Sequence, residues 1–131
     1  MRIELSQALA PVLRDLAATA GELHPDLRDE PWADEDGVLS FMLYGPSGSG
    51  MGILLAADEP LAERIASMAD KVQEWAVDEL WSLGQPATWP QCPVHQDSHP
   101  LTPVAMRARA LWICPSTGLQ VAEIGHLADS G

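Results

Sequence analysis

Two Cys-Pro dipeptides are the feature that most restricts how this 131-residue chain can fold. Cys92-Pro93 and Cys114-Pro115 contain both cysteines of the sequence, and three of its four histidines lie between Trp89 and Leu127. Thiolate and imidazole groups are the ligands that zinc prefers in proteins. If one metal is shared, two turns that are distant in the sequence must meet in space.

The two turns resemble the knuckles of a zinc ribbon, in which two Cys-Pro-x-Cys-Gly turns hold one metal between β-hairpins. The first reads Cys92-Pro93-Val94-His95, with histidine in the second ligand position, and the second reads Cys114-Pro115-Ser116-Thr117-Gly118, with threonine there. The resemblance covers residues 89–127 and implies three ligands, Cys92, His95 and Cys114. Threonine is not a usual zinc ligand, so the fourth ligand must come from elsewhere.

His99 is the predicted fourth ligand. It follows His95 by four residues, and two imidazoles at this spacing converge if the segment makes a helical turn. His126, at the end of the last predicted strand, is the second candidate. The expected cofactor is a structural zinc ion, held by Cys92, His95, His99 and Cys114. Such a site contributes roughly 10–16 kcal/mol of apparent binding free energy to folding.

Other interpretations of these residues stay open at this point. The turns could be kept for packing in a ribbon that has lost its metal, or Cys92 and Cys114 could form a disulfide, which a reducing cytoplasm disfavours. Three ligands and an open position would instead make a water-activating catalytic metal. The sequence contains no His-x-Glu or His-Glu-x-x-His to supply the proton-transferring glutamate of such enzymes. A structural site is therefore the favoured interpretation.

The charge balance argues against several classes of partner. Nineteen acidic residues stand against seven basic ones, which gives a formal net charge of −12. Phosphate backbones and anionic membrane surfaces repel such a chain, so neither nucleic acid nor membrane is an expected partner. A basic protein is compatible with this charge, and so is a role in solubility alone.

With two cysteines and no apolar signal region in the first sixteen residues, we expect a cytoplasmic location.

The N-terminal part is predicted to contain a helix followed by an acidic loop. Apolar residues at helical spacing predict the helix over about 6–20, which either bends at Pro11 or begins close to it. Acidic residues and prolines predict a loop over 22–37. Trp32 is expected to pin that loop to the core, because an aromatic ring in a polar loop gains most from burial.

A glycine-rich segment, residues 45–52, separates strands predicted over about 38–44 and 52–57. Gly-x-x-x-x-Gly after an apolar strand is also the frame of a phosphate-binding P-loop, in which lysine and a hydroxyl residue follow. Met51 and Gly52 stand there instead, so both the phosphate-binding charge and the magnesium-binding hydroxyl are missing. We interpret the segment as a hairpin loop and expect no bound nucleotide.

The strongest helical pattern lies over about 58–83, where apolar residues recur on one face and the opposite face is acidic. Asp58 is the predicted cap of this helix, and Gly84 is its predicted stop. Trp75 and Trp81 either widen the buried stripe or flank it. A β-hairpin is expected between the two Cys-Pro turns, and the sequence predicts one strand over 104–113 and another over 119–124, separated by the second turn.

These patterns predict an α+β protein in which a small β-hairpin packs on a long helix and an N-terminal helix. Residues 1–85 are expected to form this part, and residues 89–127 a zinc-ribbon-like β-hairpin. No residue pattern indicates a catalytic site, so the predicted function is a non-enzymatic, acidic protein-interaction or adaptor module. One alternative is an acidic inhibitor or immunity-type protein that binds a basic enzyme. A second is a small zinc-dependent hydrolase or deaminase.

Overall fold

The computed structural model describes residues 2–30, 36–95 and 98–129, and it shows the predicted α+β architecture. Helix α1 spans Ile3–Thr19 and helix α2 spans Leu61–Ser82. Six strands form two antiparallel sheets of three: β1 (Asp26–Arg28), β2 (Val38–Tyr44) and β3 (Gly50–Ala56), then β4 (Thr102–Met106), β5 (Arg109–Ile113) and β6 (Gln120–Glu123). Helix α2 packs against α1 and against both sheets.

Helix α1 is continuous through Pro11, so the alternative in which the helix starts near that residue is wrong. It begins at Ile3 rather than residue 6 and ends at Thr19. Proline inside a helix removes one backbone hydrogen bond, so tertiary packing must hold the turn. Gly125 supplies such packing: it lies so close that a Cβ placed on it would be 2.8 Å from the Cβ of Pro11.

Helix α2 is shorter at its start than predicted. Its N-cap is Pro60 rather than Asp58, because a proline forces the residue before it out of helical geometry, and Asp58 lies in a turn that precedes the helix. The predicted stop is confirmed. Gly84 has a φ of +71°, and the amide of Gln85 donates to the carbonyl of Leu80 at 2.9 Å, which is the pattern of a Schellman end.

The first sheet contains the predicted hairpin and one strand that was not predicted. Strands β2 and β3 pair from Val38 with Ala56 to Tyr44 with Gly50, so β3 begins two residues before the expected position 52. The glycine-rich segment joins these two strands, as expected of a hairpin loop. Strand β1 lies within the segment predicted to be entirely loop and pairs with β2. Trp32, the predicted anchor of that loop, lies outside the described residues.

The second sheet corrects the prediction of one strand over 104–113. That segment is a hairpin of β4 and β5, and Arg107 and Ala108 between them have φ values of +52° and +63°. Positive φ at both central residues is what a two-residue type I′ turn requires, and asparagine or glycine normally signals it. Neither residue is present, so the turn could not be recognised. Strand β6 pairs with β5 across the second Cys-Pro turn, as predicted.

A buried carboxylate joins α1 to the second sheet. Asp15 is only 1% exposed, and its Oδ2 accepts hydrogen bonds from the indole Nε1 of Trp112 at 2.8 Å and from the amide of Gly125 at 2.6 Å. Its Oδ1 accepts from the amide of Leu127 at 3.0 Å. The ring of Trp112 meets that of Trp89 edge to face, with centroids 5.5 Å apart. Residues near the two ends of the chain are thereby held together.

None of the helices in the described ranges is both long and apolar enough to cross a lipid bilayer. Helix α2 is the longer of the two that the structure describes, with 22 residues. Its exposed face carries Asp70, Glu74 and Asp78, and its opposite face lies in the core. Its amphipathic pattern is that of a helix packed on one side.

We predict that Asp15→Asn destabilises the fold by about 2–3 kcal/mol, because asparagine replaces one acceptor oxygen with a donor that faces N–H groups. Urea unfolding of the parent and the variant would measure the change in the free energy of unfolding. Asp70→Asn, which removes the same charge from an exposed position, is the matched control and should stay within about 0.5 kcal/mol of the parent. Equal effects of the two substitutions would contradict a structural role for the buried carboxylate.

Candidate metal centre

The first Cys-Pro turn lies in a loop, residues 91–100, that helix α2 holds at its base. The first and last residues of the loop form a β-bridge. Gln73 of α2 donates from Nε2 to the carbonyl of Trp89 at 3.0 Å and to that of Leu101 at 2.6 Å, one on each arm of the loop. One helix side chain therefore sets the distance between the two arms. Sequence reasoning did not single out Gln73, because a lone glutamine in a helix carries no motif.

The second Cys-Pro turn connects β5 to β6 and is stabilised by its own backbone. The amide of Gly118 donates to the carbonyl of Cys114 at 2.8 Å, and the amide of Cys114 donates to the carbonyl of Leu119 at 2.9 Å. Gly118 has a φ of +77°, a conformation that residues with a Cβ rarely adopt. The turn points the sulfur of Cys114 toward the first loop.

Four side chains meet where the two turns face each other. One ligand atom each from Cys92, His95, His99 and Cys114 lies within 4.8 Å of the other three. His95 Nδ1 is 3.6 Å from the sulfur of Cys92, 3.5 Å from that of Cys114 and 3.2 Å from His99 Nε2. The sulfur of Cys114 is 3.9 Å from His99 Nε2. Both thiols are free and fully buried, and both imidazoles are half-buried.

Four of the six separations among these atoms are close to the edges of a tetrahedron around zinc, and the other two, from the sulfur of Cys92 to His99 and to the sulfur of Cys114, are within 4.8 Å. Zn–S bonds of about 2.3 Å and Zn–N bonds of about 2.05 Å at tetrahedral angles place two nitrogens about 3.4 Å apart and a nitrogen and a sulfur about 3.6 Å apart. The nitrogen–nitrogen distance here is 3.2 Å, and three of the four nitrogen–sulfur distances are 3.5, 3.6 and 3.9 Å. The four side chains could therefore hold a metal ion such as zinc.

A hydrogen bond from its outer ring nitrogen orients His99. Its Nδ1 lies 3.0 Å from the carbonyl oxygen of Pro100. Because a carbonyl only accepts, Nδ1 carries the proton and donates, which leaves the lone pair of Nε2 directed at the cluster. A backbone partner on the outer nitrogen is the usual arrangement for metal-binding histidines.

Thr117 has a role that the sequence pattern did not show. The influence of its hydroxyl on the sulfur of Cys114 is the main reason why the pKa of that thiol falls to about 6. Burial acts in the opposite direction, and the amides of Thr117 and Ser116 and the thiol of Cys92 lower the pKa further. The thiolate is the form that binds metal, so the threonine in the second ligand position supports Cys114 as a ligand.

The structure brings together the four residues named from the sequence. Metal binding by these residues stays a prediction. His126, the alternative fourth ligand, is exposed and pairs with Asp129 at 3.0 Å, outside the cluster. Across the described parts of the chain, no second group of potential ligands of this kind occurs. Comparisons with models of protein families, with curated proteins and with solved structures find no match. The case for a metal therefore depends on the geometry of these side chains.

We predict that Thr117→Val weakens zinc binding about tenfold at neutral pH without abolishing it. Valine keeps the shape of threonine but removes the hydroxyl donor, so the pKa of Cys114 rises and more of the thiol is protonated when the metal arrives. Competition with a chromophoric zinc chelator would measure the affinity. Thr88→Val makes the same change outside the turn and should leave the affinity as in the parent. A Thr117→Val variant that binds zinc as tightly as the parent does would contradict the role of the hydroxyl.

Proposed function

We propose that a structural zinc ion is held by Cys92, His95, His99 and Cys114, and that the protein is a non-enzymatic, acidic protein-interaction module of zinc-ribbon-like build. The convergence of the four ligand atoms within 4.8 Å of one another carries the zinc part of this proposal. A complete set of four protein ligands is typical of structural zinc, whereas catalytic zinc keeps one position open. The function of the ion would be to join the two turns.

The size of the second sheet supports a structural role for the ion. Strands β4 and β5 have five residues each and β6 has four, so the sheet has few ladder hydrogen bonds of its own. Short sheets of three strands depend on packing or on a cross-link for stability. A metal at one end of the β5–β6 hairpin would anchor it to the loop that helix α2 holds.

The surface of α2 supports an interaction with a basic protein. Asp70, Glu74 and Asp78 follow one another at four-residue spacing on the exposed face, and Trp81 comes three residues later with 77% of its surface exposed. Exposed tryptophans are frequent anchors of protein interfaces, and a row of like charges speeds the approach of an oppositely charged partner. The net charge of −12 gives the whole molecule the same preference.

The zinc part is tested by elemental analysis of protein purified without chelator. We expect one zinc per chain in the parent and a strong loss in His99→Ala, because three ligands bind zinc much more weakly than four. His126→Ala is the matched control, since it removes an exposed imidazole outside the cluster, and it should keep its zinc. Zinc that is unchanged in His99→Ala, or absent from the parent, would contradict the proposed site.

The interaction part is tested by photo-crosslinking from position 81 in cells that produce the protein. With benzoylphenylalanine replacing Trp81, we expect a crosslinked adduct with a strongly basic protein. The amount of adduct should fall when Asp70 and Glu74 are replaced by Asn and Gln. The same photoreactive residue at Leu54, which is 41% exposed on β3, is the control. A partner that is not basic, or equal labelling from both positions, would contradict an acidic interaction surface.

A further inference from the structure

A cavity of about 220 Å³ lies between the glycine-rich loop and the C-terminal half of helix α2. The loop, with the start of β3, contributes Ser47, Ser49 and Met51 to its lining, and the helix contributes Trp75, Asp78 and Glu79. None of these residues belongs to the metal cluster. The loop is the motif that resembles the frame of a P-loop, and the proposed function does not use it.

Glu79 is the unusual residue in this cavity. Its side chain is only 3% exposed, and its Oε1 accepts a hydrogen bond from the hydroxyl of Ser47 at 2.9 Å. Its Oε2 is buried and has no hydrogen-bond partner. Gly45 lies directly over the carboxylate, and a side chain at that position would collide with Oε1. The first glycine of the loop is therefore needed for the loop to close on this acid.

A buried carboxylate is unfavourable unless a cation or a set of hydrogen-bond donors compensates it. In the described parts of the chain, no arginine, lysine or histidine forms an ion pair with Glu79. Asp78, exposed at the edge of the cavity, adds a second negative charge. The missing partner is therefore a positively charged group with N–H donors.

The size and walls of the cavity narrow the choice of cation. A volume of about 220 Å³ exceeds the ~150 Å³ that accepts a benzene molecule but falls below the ~300 Å³ of ordinary ligand pockets, so it suits one side-chain head group. Trp75 is among the lining residues, and a guanidinium both favours contact with aromatic rings and presents paired donors that match a carboxylate. Lysine has the charge but lacks the flat shape.

Trp75 also indicates that the cation belongs to a peptide. Its indole Nε1 is buried and has no acceptor. A polyamine or another simple cation has only donors, whereas a peptide has a carbonyl near each arginine that can accept from the indole. We propose that this cavity binds an arginine side chain of a basic protein partner. The inference deepens the proposed function, since it depends on that partner and names the residue by which the partner is anchored.

The test is a titration with N-acetyl-arginine-N-methylamide, followed through the indole N–H resonance of Trp75 in a ¹⁵N NMR spectrum. We expect saturable shifts of this resonance, with a dissociation constant in the millimolar range that suits a single side chain. Glu79→Gln should weaken binding about tenfold, because the amide removes the charge and one acceptor while it keeps the shape. Glu63→Gln makes the same change at an exposed position in the first turn of α2 and should bind as the parent does.

Three results would overturn the inference. The first is an arginine affinity in Glu79→Gln equal to that of the parent. The second is equal weakening by Glu63→Gln, which would mean that net charge alone attracts the probe. The third is binding of putrescine or N-acetyl-lysine-N-methylamide as tight as that of the arginine probe, which would contradict the guanidinium and peptide assignments. If Glu79→Gln does not fold, Asp78→Asn at the edge of the cavity replaces it, with a two- to fourfold weakening expected.

This titration separates the inference from the proposed function. The probe needs neither zinc nor the protein partner, and the cavity contains no residue of the metal cluster. Failure of the titration would leave the zinc analysis and the crosslinking from position 81 unaffected. If no zinc or no basic partner is found, the affinity of the cavity for the arginine probe can still be measured.

Discussion

The buried carboxylate of Asp15 is the interaction on which the arrangement of the C-terminal part depends. It accepts three hydrogen bonds from residues almost a hundred positions or more away, and one of these residues is Trp112. Trp112 lies on β5, two residues before Cys114. Helix α1 therefore also sets the position of the second Cys-Pro turn. Helix α2 sets the other turn through Gln73. The two helices thus bring the two turns face to face before any ion is considered.

Local chemistry then completes the cluster that this frame creates. The carbonyl of Pro100 selects the tautomer of His99, and the hydroxyl of Thr117 favours the thiolate of Cys114. The second Cys-Pro turn therefore brings one candidate ligand to the cluster, and a hydroxyl stands where the knuckle of a zinc ribbon would supply another. His99 joins the cluster from within the first loop. The two buried carboxylates differ in their hydrogen bonding. Both oxygens of Asp15 accept hydrogen bonds, whereas Oε2 of Glu79 has no hydrogen-bond partner.

Sequence patterns predicted the α+β class, the long helix and its glycine stop, the first hairpin and the four residues of the cluster. Each of these depends on neighbours a few positions away: helical periodicity for α2, a glycine for the left-handed end, and the spacing of His95 and His99 within one loop. The start of α2 was misjudged because Pro60 restricts the residue before it. A hairpin between the two Cys-Pro turns was expected, but its turn was not located, because strand pairing imposes positive φ on Arg107 and Ala108, which do not prefer it.

By itself, the sequence determined which side chains can bind a metal and that the molecule is strongly acidic, because residue types and local spacing carry that information. Only the tertiary structure decided which acids are buried and which of two tryptophans on one helix is exposed. Trp75 is 2% exposed and Trp81 is 77% exposed, although both occur near the C-terminal end of the same amphipathic pattern. Burial depends on what packs against a residue from distant parts of the chain, and periodicity along one helix does not contain that information.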